Sequence, residues 1–187
     1  MNTLGQEYLA TVIRRLKYYK ELADKTFEQL DNKDIHFRPN EESNSVAIIV
    51  QHMAGNMLSR FTNFLTEDGE KDWRQRDDEF EVHDHSKQQV IDLWEKGWQC
   101  VFNALGSLHE DDLMKTIHIR KEALTVVDAI NRQLAHYPHH IGQLLFIGKM
   151  IKGDQWKNLS IPKGGSNAYN QSNEVKDPAK KFNGSKV

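Results

Sequence analysis

"TVVDAINRQLAHYPHHIGQLLFIGKMIKG" occupies residues 125–153. Each residue of a helix advances about 100° around the axis. On that count Val127, Ile130, Leu134, Ile141, Leu144 and Leu145 fall on one side, with Gly148 among them and Ile151 at the edge. Thr125, with Asp128 three residues on, forms a capping pair for a helix start, and Gly153 is a natural stop. The stretch predicts one long helix from about Thr125 to Lys152. Pro138 lies inside it, removes the bond to the Leu134 carbonyl and costs about 3 kcal/mol. Gly142 costs about 1 kcal/mol more relative to alanine. Two unfavourable residues this close imply that something besides helix stability governs the segment, an ordinary kink being the alternative.

Three further helical patterns precede it. The first runs from about Thr3 to Leu30, with Thr3 and Gln6 as a capping box and Leu9, Ile13, Leu16, Leu22, Phe27 and Leu30 as its apolar stripe. The second runs from about Ser45 to Leu65, with Val46, Ile49, Val50, Met53, Met57, Phe61 and Phe64 on one face. The third runs from about Ser86 to Leu108, with Val90, Leu93, Trp94, Val101, Phe102 and Leu105 inward. "TEDGEKDWRQRDDEFEVHDH" (66–85) is a polar, acidic connection, and connections of that length are often functional or mobile. "TIHIR" (116–120) and "ALTV" (123–126) alternate well enough for a small hairpin turning at Lys121–Glu122, although Asn-Gly is missing there. The expected fold is all-α: a four-helix bundle with a small β-hairpin before the last helix. Residues 1–170 are expected to form the domain. Residues 171–187 have almost no apolar content and are expected to form a disordered tail.

Composition excludes several classes of function. The 187 residues carry 25 basic and 27 acidic side chains, a net charge of −2, so the basic face of a nucleic-acid binder is not expected. The longest apolar runs, "VAIIV" (46–50) and "LLFIG" (144–148), fall far short of the ~20 residues that cross a bilayer. The opening residues lack the apolar stretch of a secretory signal, and Cys100 is the sole cysteine. A cytoplasmic protein without an intramolecular disulfide is expected.

The nine histidines carry the most information. His140 lies at the border of the last helix's apolar face. His136 lies one turn earlier and about 40° further out. At i and i+4 the two rings can aim at one point beside the core, the spacing a metal needs from one helix. His139 points toward solvent. His52 holds a similar border position on the second helix, next to Ile49 and Met53. Three neutral imidazoles from two facing helices would hold a divalent ion with one position open to water or substrate. Alternatively, all three are half-buried histidines without a ligand. Asn56, one turn after His52, and Gln143 are candidates for orienting groups behind the ligands. Other patterns carry less. "HDH" (83–85) reads as a solvated loop, Cys100 as core, and Trp94 with Trp98 as packing. Gly164–Gly165 is no phosphate loop, because no strand precedes it.

"SVAIIVQHMAGNMLSRF" together with "AHYPHHIGQLL" resembles the DinB/YfiT-like superfamily of bacterial metal-binding bundles. The shared pattern is one histidine on the second helix and His-x-x-x-His, then x-Gly-Gln, on the last: His52, His136, His140, Gly142 and Gln143. "IHIRKEALTVVDAI" and "WKNLSIPKGGS" further resemble an uncharacterised branch of it, over about residues 1–170. The resemblance implies up-down-down-up topology, a homodimer, and Zn²⁺ or Ni²⁺ on the three histidines. It also implies either an S-transferase using a low-molecular-weight thiol such as bacillithiol, or a metal-dependent hydrolase, acting on a small-molecule substrate. The competing expectations are a non-catalytic metal- or ligand-binding stress-response bundle and a dimeric scaffold whose histidines merely pack.

Overall fold

Helix starts are fixed by hydroxyl side chains that satisfy backbone donors which the first turn leaves unpaired. In the computed structural model, which describes residues 1–183, Thr3 accepts from the Gln6 backbone and opens α1 (Leu4–Gln29). Ser45 caps α2 (Val46–Phe61), Ser86 caps α3 (Lys87–Gly106) and Thr125 caps α4 (Val126–Lys152). Thr3–Gln6 and Ser86–Gln89 form complete capping boxes. The expected second helix is four residues too long. α2 stops at Phe61, and Asn63 just beyond takes a φ of 51° that no α-helix continues. Phe64 is nevertheless buried, which is why it read as part of the helical stripe.

The fold is mostly helical. α2 packs on α3 and α1 on α4, while α2 also meets α4 and α1 meets α3. Among the described residues no helix is long and apolar enough to cross a membrane. Trp94, Trp98 and Tyr137 stand at the centre, with Trp98 edge-on to both of the others. The α2–α3 seam closes tightly at Gly97, where a Cβ would stand 2.9 Å from Met57 Sδ and 3.2 Å from Ala54 Cα. Glycine there lets the two backbones approach.

α4 runs unbroken through Pro138. Its buried residues include Ala129, Gln133, Tyr137 and Ile147, whereas Val127, Leu134 and Leu145 are only partly buried. At 100° per residue the inward face is therefore turned by about 60° from the one the apolar residues predict, toward the histidines. A polar Gln133 and a Tyr137 on the buried side hide that face from a count of apolar positions.

The two strands are β1 (Thr116–Ile119) and β2 (Glu122–Thr125), paired antiparallel with Ile119 opposite Glu122. The turn is Arg120–Lys121, one residue earlier than expected, and both residues have left-handed φ, 57° and 65°. Two-residue hairpin turns favour Asn-Gly because both φ values are positive. Here the Asp68 carboxylate supports the turn from outside, accepting from the Arg120 and Lys121 backbone N–H groups at 2.8 and 2.7 Å.

Beyond α4 come α5 (Ser166–Gln171) and a 3₁₀ turn at Pro178–Phe182 lying against α1. Low apolar content made residues 171–187 an expected disordered tail, yet polar contacts hold much of this segment. Arg15 grips Asp177 with two bonds of 2.6 and 2.7 Å, Lys181 pairs with Glu21, and Ala179 is fully buried. The final four residues of that expected tail lie outside the described residues.

Candidate metal centre

α2 and α4 bring His52, His136 and His140 together. Each offers a ring nitrogen, and the three nitrogens lie within 4.8 Å of one another, so the group could hold a metal ion. His136 and His140 face each other with Nε2 atoms 3.0 Å apart. Ring centroids are 5.0 Å apart for His52–His140 and 5.6 Å for His52–His136. His52 is buried and the other two are half-buried.

The outer nitrogens decide what the inner ones present. Glu79 Oε2 accepts from His52 Nδ1 at 3.0 Å, and Gln143 Oε1 accepts from His140 Nδ1 at 2.8 Å. An imidazole that donates through Nδ1 keeps a lone pair on Nε2. Hydrogen-bonded acceptors behind ligating histidines commonly fix the tautomer in this way. Burial, then the neighbouring His140 and His52, pushes the His136 pKa from its ordinary value of 6.5 down to about 3. Burial likewise lowers that of His140. At neutral pH His136 and His140 are therefore uncharged, as ligands to a divalent ion must be.

Glu79 is itself secured. Arg74 grips it with two bonds, Nε to Oε1 at 2.7 Å and Nη2 to Oε2 at 2.8 Å. Burial pushes the Glu79 carboxyl up, but the bonds from His52 and Arg74 outweigh it and hold the carboxyl below its ordinary range. The carboxylate lies across α2 at Gly55. A Cβ at Gly55 would stand 2.7 Å from Glu79 Cδ and closer still to Oε1. The lack of a side chain at Gly55 is what lets Glu79 approach His52.

Asn56 is buried and accepts from the Tyr137 hydroxyl at 3.2 Å, so it meets the core rather than a histidine. Full burial raises the Tyr137 pKa and keeps the phenol protonated as that donor. His139 is exposed. His83 and His85 stack on each other at 5.5 Å, apart from the three. Gly142 has nothing within 4 Å of where a Cβ would be, so packing does not require it. A cavity of about 490 Å³ opens beside the cluster, touching His52, His136 and Asn56.

Reasoning from sequence missed Glu79, Arg74 and Tyr137. For Glu79 and Arg74 the sole signal was the length of the 66–85 connection, whose charge run reads as solvated; Tyr137, on α4, gave none.

Residues 3–165 match DUF1572, described as a protein of unknown function. The chain belongs to this family. The match spans α1 to α4, so all three histidines of this DUF1572 member, with Glu79 and Gln143 behind them, lie inside it. No curated protein and no solved structure matches the chain.

Proposed function

We propose that the protein is a metal-dependent enzyme acting on a small molecule, as a thiol S-transferase or a hydrolase, with a divalent ion held by His52, His136 and His140. One observation carries the reading: three imidazoles converge from two helices, and two of them have their outer nitrogens tied to Glu79 and Gln143. The donor set fits such an ion, since three imidazoles suit several first-row metals, zinc and nickel among them. The chemistry supplied there would be Lewis acidity, which lowers the pKa of a bound water toward neutrality and deprotonates a bound thiol. The remaining roles belong to the chain. Glu79 and Gln143 hold the two rings in one tautomer, Arg74 holds Glu79, and the Tyr137–Asn56 bond ties α4 to α2 beside the cavity. The cavity is of a size for a small molecule and a low-molecular-weight thiol.

The same proposal places the chain in the DinB/YfiT-like superfamily, as one domain over residues 1–170 with up-down-down-up bundle topology, working as a cytoplasmic homodimer. The ring of helix contacts, α1 to α4 to α2 to α3 and back, supports the bundle.

The test is elemental analysis of purified protein joined to a thiol-conjugation assay with a generic electrophile. The expectation is stoichiometric metal, lost in His136→Ala, and a metal-dependent rate. Wild type without metal, or His136→Ala retaining it fully, would overturn the metal site. A metal-loaded protein with no rate above background would make it a non-catalytic binding bundle.

A further inference from the structure

The cavity beside His52 and His136 is lined by Arg60, Arg74, Arg76, Arg120 and Arg132, and by no Asp or Glu among the described residues. The chain as a whole has a net charge of −2, yet five of its 25 basic side chains line this one cavity. The arginines arrive from four places: α2, the connection after it, the hairpin turn and α4.

Two carboxylates behind the wall serve three of these guanidiniums. Glu79 is taken by Arg74. Glu70 Oε2 accepts from Arg60 and Arg120, each at 3.0 Å, and lies 3.6 Å from Arg74. Of the other two, Arg76 lies 3.9 Å from the fully exposed Asp77 and over the Phe80 ring at 5.1 Å, its only carboxylate contact being that long one, and Arg132 has no side-chain partner among the described residues. Two buried groups on the cavity wall also lack partners: Nε of Arg60 and Oε1 of Gln133, in residues 4% and 3% exposed. Arg76, Arg120 and Arg132 expose their side chains at the cavity. Guanidinium forks match the paired oxygens of carboxylates and phosphates.

We propose that this cavity binds the oxyanion group of a small-molecule substrate, a carboxylate or a phosphate, through Arg76, Arg120 and Arg132, with the rest of the molecule lying against His52 and His136. The inference rests on the metal-site reading in one respect, that the anion belongs to that site's substrate. The arginines converge in one pocket of about 490 Å³. A single-stranded polyanion would instead call for an extended basic groove with aromatic platforms.

Calorimetric titration of the chelator-treated full-length protein at low salt tests it, with inorganic phosphate, pyrophosphate and succinate as separate probes. Metal content is measured on the same preparations before chelation. One-to-one binding of at least one probe is expected, and the probe that binds tells phosphate from carboxylate. Arg76→Gln combined with Arg132→Gln should weaken it by about tenfold or more, with an unchanged melting temperature. His136→Ala should lose the metal. Anion binding by a preparation that never held metal would sustain this inference and defeat the metal reading. Metal without any anion binding would defeat this inference alone. So would a folded double variant that binds like wild type, or a single-stranded oligonucleotide binding where the small anions do not.

Discussion

Helices α2 and α4 supply the three histidines; the irregular connection between α2 and α3 supplies Glu79 and Arg74, which stand behind one of them. The two regions reach the same place by different physics. On the helices, position follows from periodicity and caps, so i and i+4 rings converge whatever lies around them. In the connection, position follows from charge: Arg74 is fixed by Glu79 and Glu70, and Lys71 by Glu67 at 3.0 Å and the Asp68 carbonyl at 2.7 Å. A loop rich in ions therefore buries Lys71, Arg74 and Glu79 where it crosses α2, and its rigidity depends on keeping every pair.

Breaking the connection should do the greatest harm. Glu79→Ala leaves the buried Arg74 without its two-bond partner and His52 without its acceptor. A loss of about 3 kcal/mol in denaturant unfolding of the metal-free protein is expected, with a loss of about 10–100-fold in metal affinity. Unchanged values for both would mean that the helices alone shape the site. Gly55→Ala attacks the same contact from the helix side. Overpacking should cost about 1–3 kcal/mol, and metal affinity should fall about tenfold as Glu79 is pushed off His52. Full affinity in a metal titration would show that Glu79 need not lie where it does.

Acid probes the histidines themselves in the metal-free protein. The folded His136 titrates near 3 rather than at its ordinary 6.5, because burial disfavours the charged ring. The unfolded chain therefore takes up the proton first. Its stabilising contribution is complete above pH 6.5, shrinks as pH falls toward 3, and should be absent from His136→Ala, as urea melts across that range would record. A flat profile in wild type would contradict the burial of that ring. Gln143→Ala should be milder: its exposed side chain supports His140 alone, so metal affinity should drop about tenfold while stability stays within about 0.5 kcal/mol. The smallest effect, a gain of up to about 1 kcal/mol in thermal unfolding, is expected for Gly142→Ala, since nothing lies within 4 Å of the added methyl. Destabilisation there would mean that the glycine serves the helix after all.

This contrast also explains what could be read from the residues alone. Helix starts were legible because Thr3, Ser45, Ser86 and Thr125 act on backbone groups three positions away. The histidine pair was legible for the same local reason, and His52 because its helix had a clear apolar face. Glu79 was not, since nothing near it in sequence distinguishes it from Asp77 or Asp78; only the bare backbone at Gly55, 24 positions earlier, admits it. The inward turn of α4 was hidden by Gln133 and Tyr137, buried polar residues whose placement depends on other helices. The hairpin register depended on Asp68, far from the turn it supports. Contacts of long sequence separation decide all three.

Anomalous diffraction from a crystal of the zinc- or nickel-loaded protein tests the centre most directly. The account predicts one strong peak at about 2.0–2.1 Å from a ring nitrogen of each of His52, His136 and His140. No peak there, or a peak at His83 and His85 with those three rings left free, would contradict it.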